Sequence, residues 1–332
     1  MKFSYKSSLI KRLCIGFVCV FIFQITGFAQ VNNKETQTYD MGDGMTFTYA
    51  KPKFFEAFKH VPNDIYEFGK FTVQKENLFW TGMAVGSTLA LIPFDQKLLD
   101  NAQEIGKPLG LYEDVRYTRF LGLEVLPKNI NGAIYYLGNG LTPILLSGGF
   151  YIAGKINNDY RALNVSSELI EVLVSSGVCT QIIKRITGRQ SPGPAIDSGN
   201  PGGHWTPFPS FKAYQTNTPN YDAMPSGHLT TYIASLTVIS TNYPNTKWIK
   251  PVGYTLAGVM AFQMMSTRVH WASDYPFAIL MGYVIGKNAA NRRIKKEVRH
   301  DLTGEIIHPK FKTDFSFSYR ADYKMAGVTF SF

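Results

Sequence analysis

The 332-residue chain has little cysteine: three residues, Cys14, Cys19 and Cys179. Three thiols make neither a disulfide framework nor a four-ligand zinc site. Histidine is also sparse, with six residues, and no cluster of histidines and carboxylates has ligand spacing. No metal-binding pattern is therefore legible in the sequence. No internal repeat occurs, and only 17% of the residues are charged. With 45% hydrophobic residues, the composition excludes a disordered tail and a collagen, and the length is ample for one large core. Acid is the scarcer charge, 24 residues against 34 basic ones, a net charge of +10. Such an excess suits anionic substrates, membrane surfaces or nucleic acid, and alone does not choose among them.

The N-terminus narrows the choice. Lys2, Lys6, Lys11 and Arg12 precede an apolar run over 13–25, followed by Gly27-Phe28-Ala29-Gln30. A basic start, an apolar centre and small residues before the break read as a secretory signal over 1–29, cleaved after Ala29. Cleavage leaves Cys179 as the sole cysteine and removes four basic residues, so +10 becomes +6. The expected location is the periplasm or cell envelope, with no nucleic-acid partner. Residues 30–75 read as a polar and aromatic extension with a strand around Phe47, and 76–300 as a helical domain. Its apolar stretches fall at 78–93, 130–153, 169–186, 229–241, 251–267 and 275–285. Most are at or below spanning length, or interrupted by Gly, Asn and Pro, which favours helices buried against one another. A membrane-embedded bundle is the alternative. The basic run Arg292, Arg293, Lys295, Lys296 and Arg299 reads as a solvated helix end, with membrane-surface contact second. Residues 301–332 form a tail in which Phe315, Phe317, Tyr319, then Val328, Phe330, Phe332 alternate about a turn near Asp322. That pattern predicts a hairpin, expected to pair with the strand near Phe47.

Three polar segments end or interrupt apolar helices. Lys184-Arg185-Ile186-Thr187-Gly188-Arg189-Gln190-Ser191-Pro192 closes the stretch at 169–186. Its cations suit an anion, and equally the C-terminal end of a helix. Pro225-Ser226-Gly227-His228 precedes Leu229, Tyr232, Ile233 and Leu236, whose spacing starts a helix at that turn. The amides at Gly227, beside the Ser226 hydroxyl, would then form an anion site with His228 in reach as a proton donor. The plainer alternative is a serine cap with an incidental histidine. Third, Arg268-Val269-His270-Trp271-Ala272-Ser273-Asp274 sets a carboxylate four residues after a histidine. On a helical path Asp274 would orient the imidazole of His270, as a nucleophile or base requires; a helix salt bridge is the alternative. The remaining histidines, His60, His204, His300 and His308, are isolated. His204 lies in the long Gly/Pro-rich aromatic loop over 192–224, within which it could approach the site.

Taken in order, the three segments resemble the superfamily of type-2 phosphatidic acid phosphatases, class A acid phosphatases and vanadium haloperoxidases. The family signature reads Lys-x6-Arg-Pro, then Pro-Ser-Gly-His, then Ser-Arg-x5-His-x3-Asp. Lys184 and Pro192, the whole of 225–228, and His270 with Asp274 match it. Two positions depart: Ser191 stands where the first arginine falls, and Met264 where the second does. Arg189 and Arg268 are expected to supply those guanidinium groups from shifted positions. The resemblance implies a mainly α fold, a helical bundle of the acid phosphatase/haloperoxidase type, here with a small β-hairpin at the C-terminal tail. It implies a metal-independent phosphatase, needing no cofactor, that acts on a phosphorylated lipid or small phosphomonoester. His270 would form a phosphohistidine, Asp274 hold its ring and His228 protonate the leaving oxygen. Lys184, Arg189, Ser226, Gly227 and Arg268 would bind the phosphoryl oxygens. Two alternatives stand beside it: a catalytically weak anion- or lipid-binding envelope protein, and a haloperoxidase holding vanadate as cofactor.

Overall fold

A 28-residue helix forms the axis of the molecule, and its ends show why it is so long. In the computed structural model, which describes residues 31–32, 35–42, 44–53, 55–112, 117–120, 123–298, 312–320 and 323–331, this helix spans Tyr160–Thr187. The Asp159 side chain caps its start by accepting from the Ala162 amide at 2.9 Å. Gly188 ends it in the left-handed region at φ 53°. A Cβ at Gly188 would lie 1.7 Å from the Thr206 carbonyl oxygen, so only glycine lets the loop lie against this end.

Numbered in chain order, the longer helices are α1 (Val61–Val73), α2 (Leu78–Leu91), α3 (Asp95–Gly106), α4 (Ile130–Tyr136), α5 (Leu141–Ile156), α6 (Tyr160–Thr187), α7 (Gly227–Asn242), α8 (Ile249–Ser266) and α9 (Tyr275–Arg293). The chain is mainly α, as expected. Val165, Leu169, Val172 and Cys179 of α6 meet Ala234 and Val238 of α7 and Met281, Val284 and Ile285 of α9 in the main core. Helices α7 and α9 touch almost backbone to backbone. A Cβ added at Gly282 would sit 2.5 Å from the Thr230 carbonyl oxygen, and one at Gly286 2.6 Å from that of Ala234. Close approach of these two helices brings the 225–228 turn beside the 270–274 turn. A second cluster, of Leu229, Ile233, Met260, Met264 and Ala278, fixes α8 against the same pair.

The small sheet has the order β1-β2-β3-β6, where β1 is Val31–Asn32, β2 Thr36–Gly42, β3 Met45–Ala50 and β6 Lys295–Val298. Tyr39, Met41, Phe47 and Tyr49 point inward against Tyr160, Leu163 and Ile294. The strand expected near Phe47 is thus present, but its partners are β2 and β6, with Phe47 opposite Tyr39 and Lys296. Its expected partner, the C-terminal hairpin β7 (Lys312–Arg320) and β8 (Tyr323–Ser331), forms its own two-stranded sheet. The reason is local: β6 begins two residues after α9 ends, and α9 is packed on the helix that carries Tyr160 and Leu163. A further hairpin joins β4 (Tyr117–Phe120) to β5 (Leu123–Pro127).

Other expectations shift. The stretch 130–153 is two helices, divided by the turn over 137–140, where Asn139 Oδ1 accepts from the Leu141 amide at 2.9 Å. The segment read as an extension contains α1, which places Phe68 in the main core and Asp64 fully buried. The basic run is no solvated helix end. Arg292 donates to Glu171 at 2.6 Å and to Asp64, Arg293 donates to Glu171, and all three pairs are largely buried. Lys295 and Lys296 belong to β6. The expected signal over 1–29, the turn near Asp322, Arg299, His300 and His308 lie outside the described residues. Among the described residues, two helical stretches are long and apolar enough to cross a membrane by length and composition alone, Lys75–Gly106 and Tyr160–Thr187. The second is mostly buried inside the bundle. Along the first, Phe79, Trp80, Met83 and Leu89 are exposed.

Candidate active site

The three motif segments are stitched together at one end of the bundle by hydrogen bonds to main-chain carbonyls. Thr187 Oγ1 donates to the Met224 carbonyl at 2.9 Å, joining the first segment to the second. The Ser226 amide donates to the Asp274 carbonyl at 3.2 Å, joining the second to the third. The Gly193 amide donates to the Arg268 carbonyl at 3.0 Å, and the Trp271 indole N–H to the Gln190 carbonyl at 2.8 Å, closing the ring. The structure therefore brings together Lys184, Ser226, Gly227, His228, His270 and Asp274, all from sequence expectation.

Ser226 is the N-cap of α7, as the apolar spacing predicts, and its Oγ accepts from the Leu229 amide at 3.4 Å. That leaves the amides of Gly227 and His228 at the head of a 16-residue helix. Lys184 reaches the same spot from α6: a Cβ on Gly227 would lie 4.0 Å from its Nζ. The His228 and His270 rings face each other edge-on with centroids 6.3 Å apart. Tyr135 covers the other side of His228 at 4.2 Å. Burial first, then the neighbouring His270 and Lys184, pushes the His228 pKa down to about 3. Part of the residue still reaches solvent.

His270 Nδ1 lies 3.3 Å from Asp274 Oδ2, the pairing expected from their spacing. The path between them is not α-helical, however. Trp271 is extended and Ala272–Asp274 is a single 3-10 turn, so that Asp274 Oδ2 also accepts from the Trp271 amide at 2.9 Å. With Nδ1 turned to the carboxylate, Nε2 is the nitrogen left for the site. Burial alone would raise the Asp274 carboxyl, but Arg189 foremost, with the His270 and Trp271 bonds, holds it below the usual carboxylate range.

Arg189 is placed otherwise than expected. Fully buried, it donates through Nη1 to Ser273 Oγ and Asp274 Oδ1, each at 2.6 Å, and through Nη2 to Asp95 Oδ2 at 2.5 Å. Its guanidinium stacks between Trp205 at 4.7 Å and Trp271 at 5.5 Å. The left-handed turn at Gly188 reverses the chain, and the bridges Arg189 makes to Trp205 and Asp222 turn its side chain inward. It positions Asp274 instead of facing a phosphoryl group. Arg268 sits on the outer side of the His270 turn with φ 59°, an uncommon left-handed conformation for a non-glycine residue. One Nη lies 3.7 Å from the exposed Asp197 carboxylate. Met264, at the family's arginine position, is fully buried in the α7–α8 cluster. Arg185 stacks on Tyr214 at 4.4 Å, and His204 is exposed on the loop, where its main chain bonds to Gln190.

Two carboxylates were missed by sequence reasoning. Asp95, the first residue of α3, is fully buried and accepts from the Ser273 amide at 2.9 Å as well as from Arg189. No sequence signal points to it. Asp222 accepts from Ser191 Oγ at 3.3 Å and pairs with Lys184 Nζ at 3.4 Å. A signal for it existed: Asp222 is the only carboxylate between Asp197 and Asp274, three residues before Pro225. Thus, where the family places arginine, this chain has a serine bonded to an acid that also holds the lysine. Among the described residues no group of three or more His, Cys, Asp or Glu is placed to hold a metal ion.

No curated protein and no solved structure matches the chain. A family model does: residues 167–295 match the PAP2 superfamily. The matched segment runs from α6 to the first residue of β6 and contains Lys184, the 225–228 turn, His270 and Asp274, so this part of the chain is similar to a PAP2 superfamily domain.

Proposed function

We propose that the protein is a metal-independent phosphatase of the cell envelope, hydrolysing phosphomonoesters or lipid phosphates through a phosphohistidine. The observation that carries this reading is the pair of facing imidazoles, one held by a carboxylate, over the amide end of α7. His270 Nε2 attacks phosphorus while Nδ1–H stays bonded to Asp274, which balances the charge growing on the ring. The phosphorus–oxygen bond to the leaving group breaks on the far side, and His228 gives that oxygen a proton. Burial and its positive neighbours favour the neutral form of His228. A phosphoryl dianion beside it has the opposite sign and favours the protonated ring, so substrate binding readies the acid. Water then attacks the phosphohistidine, His228 takes back a proton, and phosphate and His270 are regenerated. Lys184, Ser226 Oγ and the first amides of α7 hold the phosphoryl oxygens, preorganised and partly shielded from water.

The test is phosphate release from para-nitrophenyl phosphate, phosphatidate, an isoprenyl pyrophosphate and lipid A, with chelator present, against His270→Ala. Release that persists in chelator and is absent in the variant is the expected result, and acid-labile phosphate bound to the intact protein identifies the intermediate. A second reading, an anion-binding protein with weak turnover, draws on a specific arrangement: Asp222 neutralises Lys184, and Arg189 is engaged elsewhere. A folded protein that binds phosphate but releases none from any of the four substrates would favour it.

A further inference from the structure

At the opposite end of the bundle lies a cavity of about 890 Å³ that the catalytic reading does not use. Its lining includes Lys51, Lys53, Lys59, His60, Arg292 and Arg293. Asn164, which also lines it, is 20 residues before Lys184 on α6, so roughly 30 Å separate it from the histidines. The acids nearby are partly engaged. Glu56 lies 3.1 Å from His60. Behind the cavity wall Asp64 and Glu171 bind both terminal nitrogens of Arg292, and Glu171 binds Nη2 of Arg293. The three lysines are exposed, and none forms an ion pair with a described residue.

Arg293 is the second, independent observation. Its side chain is 6% exposed, and its Nε and Nη1 are buried without any hydrogen-bond partner. A buried guanidinium with orphaned donors is costly unless something accepts from them. Arginine's fork matches the oxygens of a phosphoryl group, and three flexible ammonium groups at the mouth supply the remaining charge. Phe58, 53% exposed on the same rim, offers an apolar contact that a bare ion would not need.

We infer that this cavity is a second anion site, which binds a phosphoryl group presented either as free phosphate or as a lipid headgroup. It is independent of turnover at the histidines. The test uses the full chain and five proteins: wild type, K51Q/K53Q/K59Q, R293K, K75Q/K107Q/K250Q as a charge-matched control, and K184Q at the catalytic end. Titration calorimetry with inorganic phosphate, and flotation with phosphatidylcholine vesicles with or without phosphatidate, separate the two sources. The expected result is that the triple lysine variant binds one or the other ligand about tenfold more weakly than the control variant. R293K, which keeps the charge towards Glu171 but loses the fork, should weaken the same binding with an unchanged unfolding temperature. Phosphate release should be unaltered in both. Equal affinity of K51Q/K53Q/K59Q and the control for phosphate and for both vesicles would overturn the proposal. So would binding lost only in Lys184→Gln, which would place the anion at the catalytic end alone.

Discussion

In the proposed phosphatase, Asp222 would compete for the Lys184 amine with a bound phosphoryl group. Lys184 Nζ is 3.4 Å from its carboxylate, and the Asp222 side chain keeps 27% of its surface exposed, so the competition takes place at the mouth of the site. A bound phosphate must displace this carboxylate or tolerate it, and both raise the free energy of the complex. Asp222→Asn should therefore raise kcat/KM for phosphomonoesters about three- to tenfold, mostly through KM, since one like charge near the ligand is removed at partly exposed range. Steady-state kinetics on para-nitrophenyl phosphate check this, and a fall in kcat would show instead that Asp222 orients Lys184 productively. Ser191→Arg acts in the same direction, because a guanidinium there would pair with Asp222 and release the lysine. The residues that define this balance differ in how openly the sequence displays them. Lys184, His228 and His270 stand in a short ordered pattern, and spacing alone makes the 225–228 turn a helix start. The role of Arg189 was hidden, because it depends on Asp95, 94 residues earlier, and on two tryptophan rings that no local pattern connects.

Helices set the geometry, and the loops between them hold it. Helix α3 contributes a single functional atom group, the Asp95 carboxylate at its first turn, yet that group ties the guanidinium behind Asp274 to the main chain of Ser273. Asp95→Asn would leave Arg189 with one carboxylate and set an amide N–H₂ against donors. Breaking a buried pair in this way costs about 3–5 kcal/mol. Denaturant unfolding should register that loss. Turnover should also fall more than stability explains, because Asp274 loses the partner that holds its position. The strongly apolar helices were legible as helices, since α7 repeats Leu229, Tyr232, Ile233 and Leu236 on one face. Helices α1 and α3 were not, because their apolar residues are interspersed with charges that find partners elsewhere in the fold. Strand β6 was read as part of a basic helix end for the same reason: only tertiary pairing with β3 distinguishes it.

Over the whole molecule, acid buried between helices makes stability depend on pH away from the active site. Glu168 on α6 is fully buried; its Oε2 accepts from Asn242 at 2.6 Å and its Oε1 has no partner. Burial, opposed by Arg293, pushes its pKa up to about 8 from an ordinary 4.5. The native state therefore holds a proton that the unfolded chain releases above pH 4.5. Stability from this group is full below that value and declines as pH rises towards 8. Glu168→Gln removes the titration while keeping an acceptor for Asn242. The difference in Tm between variant and wild type should grow from pH 5 to pH 8, as thermal unfolding across that range would show. A constant difference would mean that Glu168 is ionised throughout.

The sandwich of Arg189 between Trp205 and Trp271 has one more consequence. Two of the four tryptophans in the chain bracket the guanidinium that steadies the histidine-bearing turn, one at the loop surface and one fully buried. Indole emission responds to a charge a few ångströms away, so the protein carries its own optical gauge of the catalytic end. Occupation of the pocket, or loosening of the aromatic loop, will change the colour and yield of its intrinsic fluorescence without any label attached.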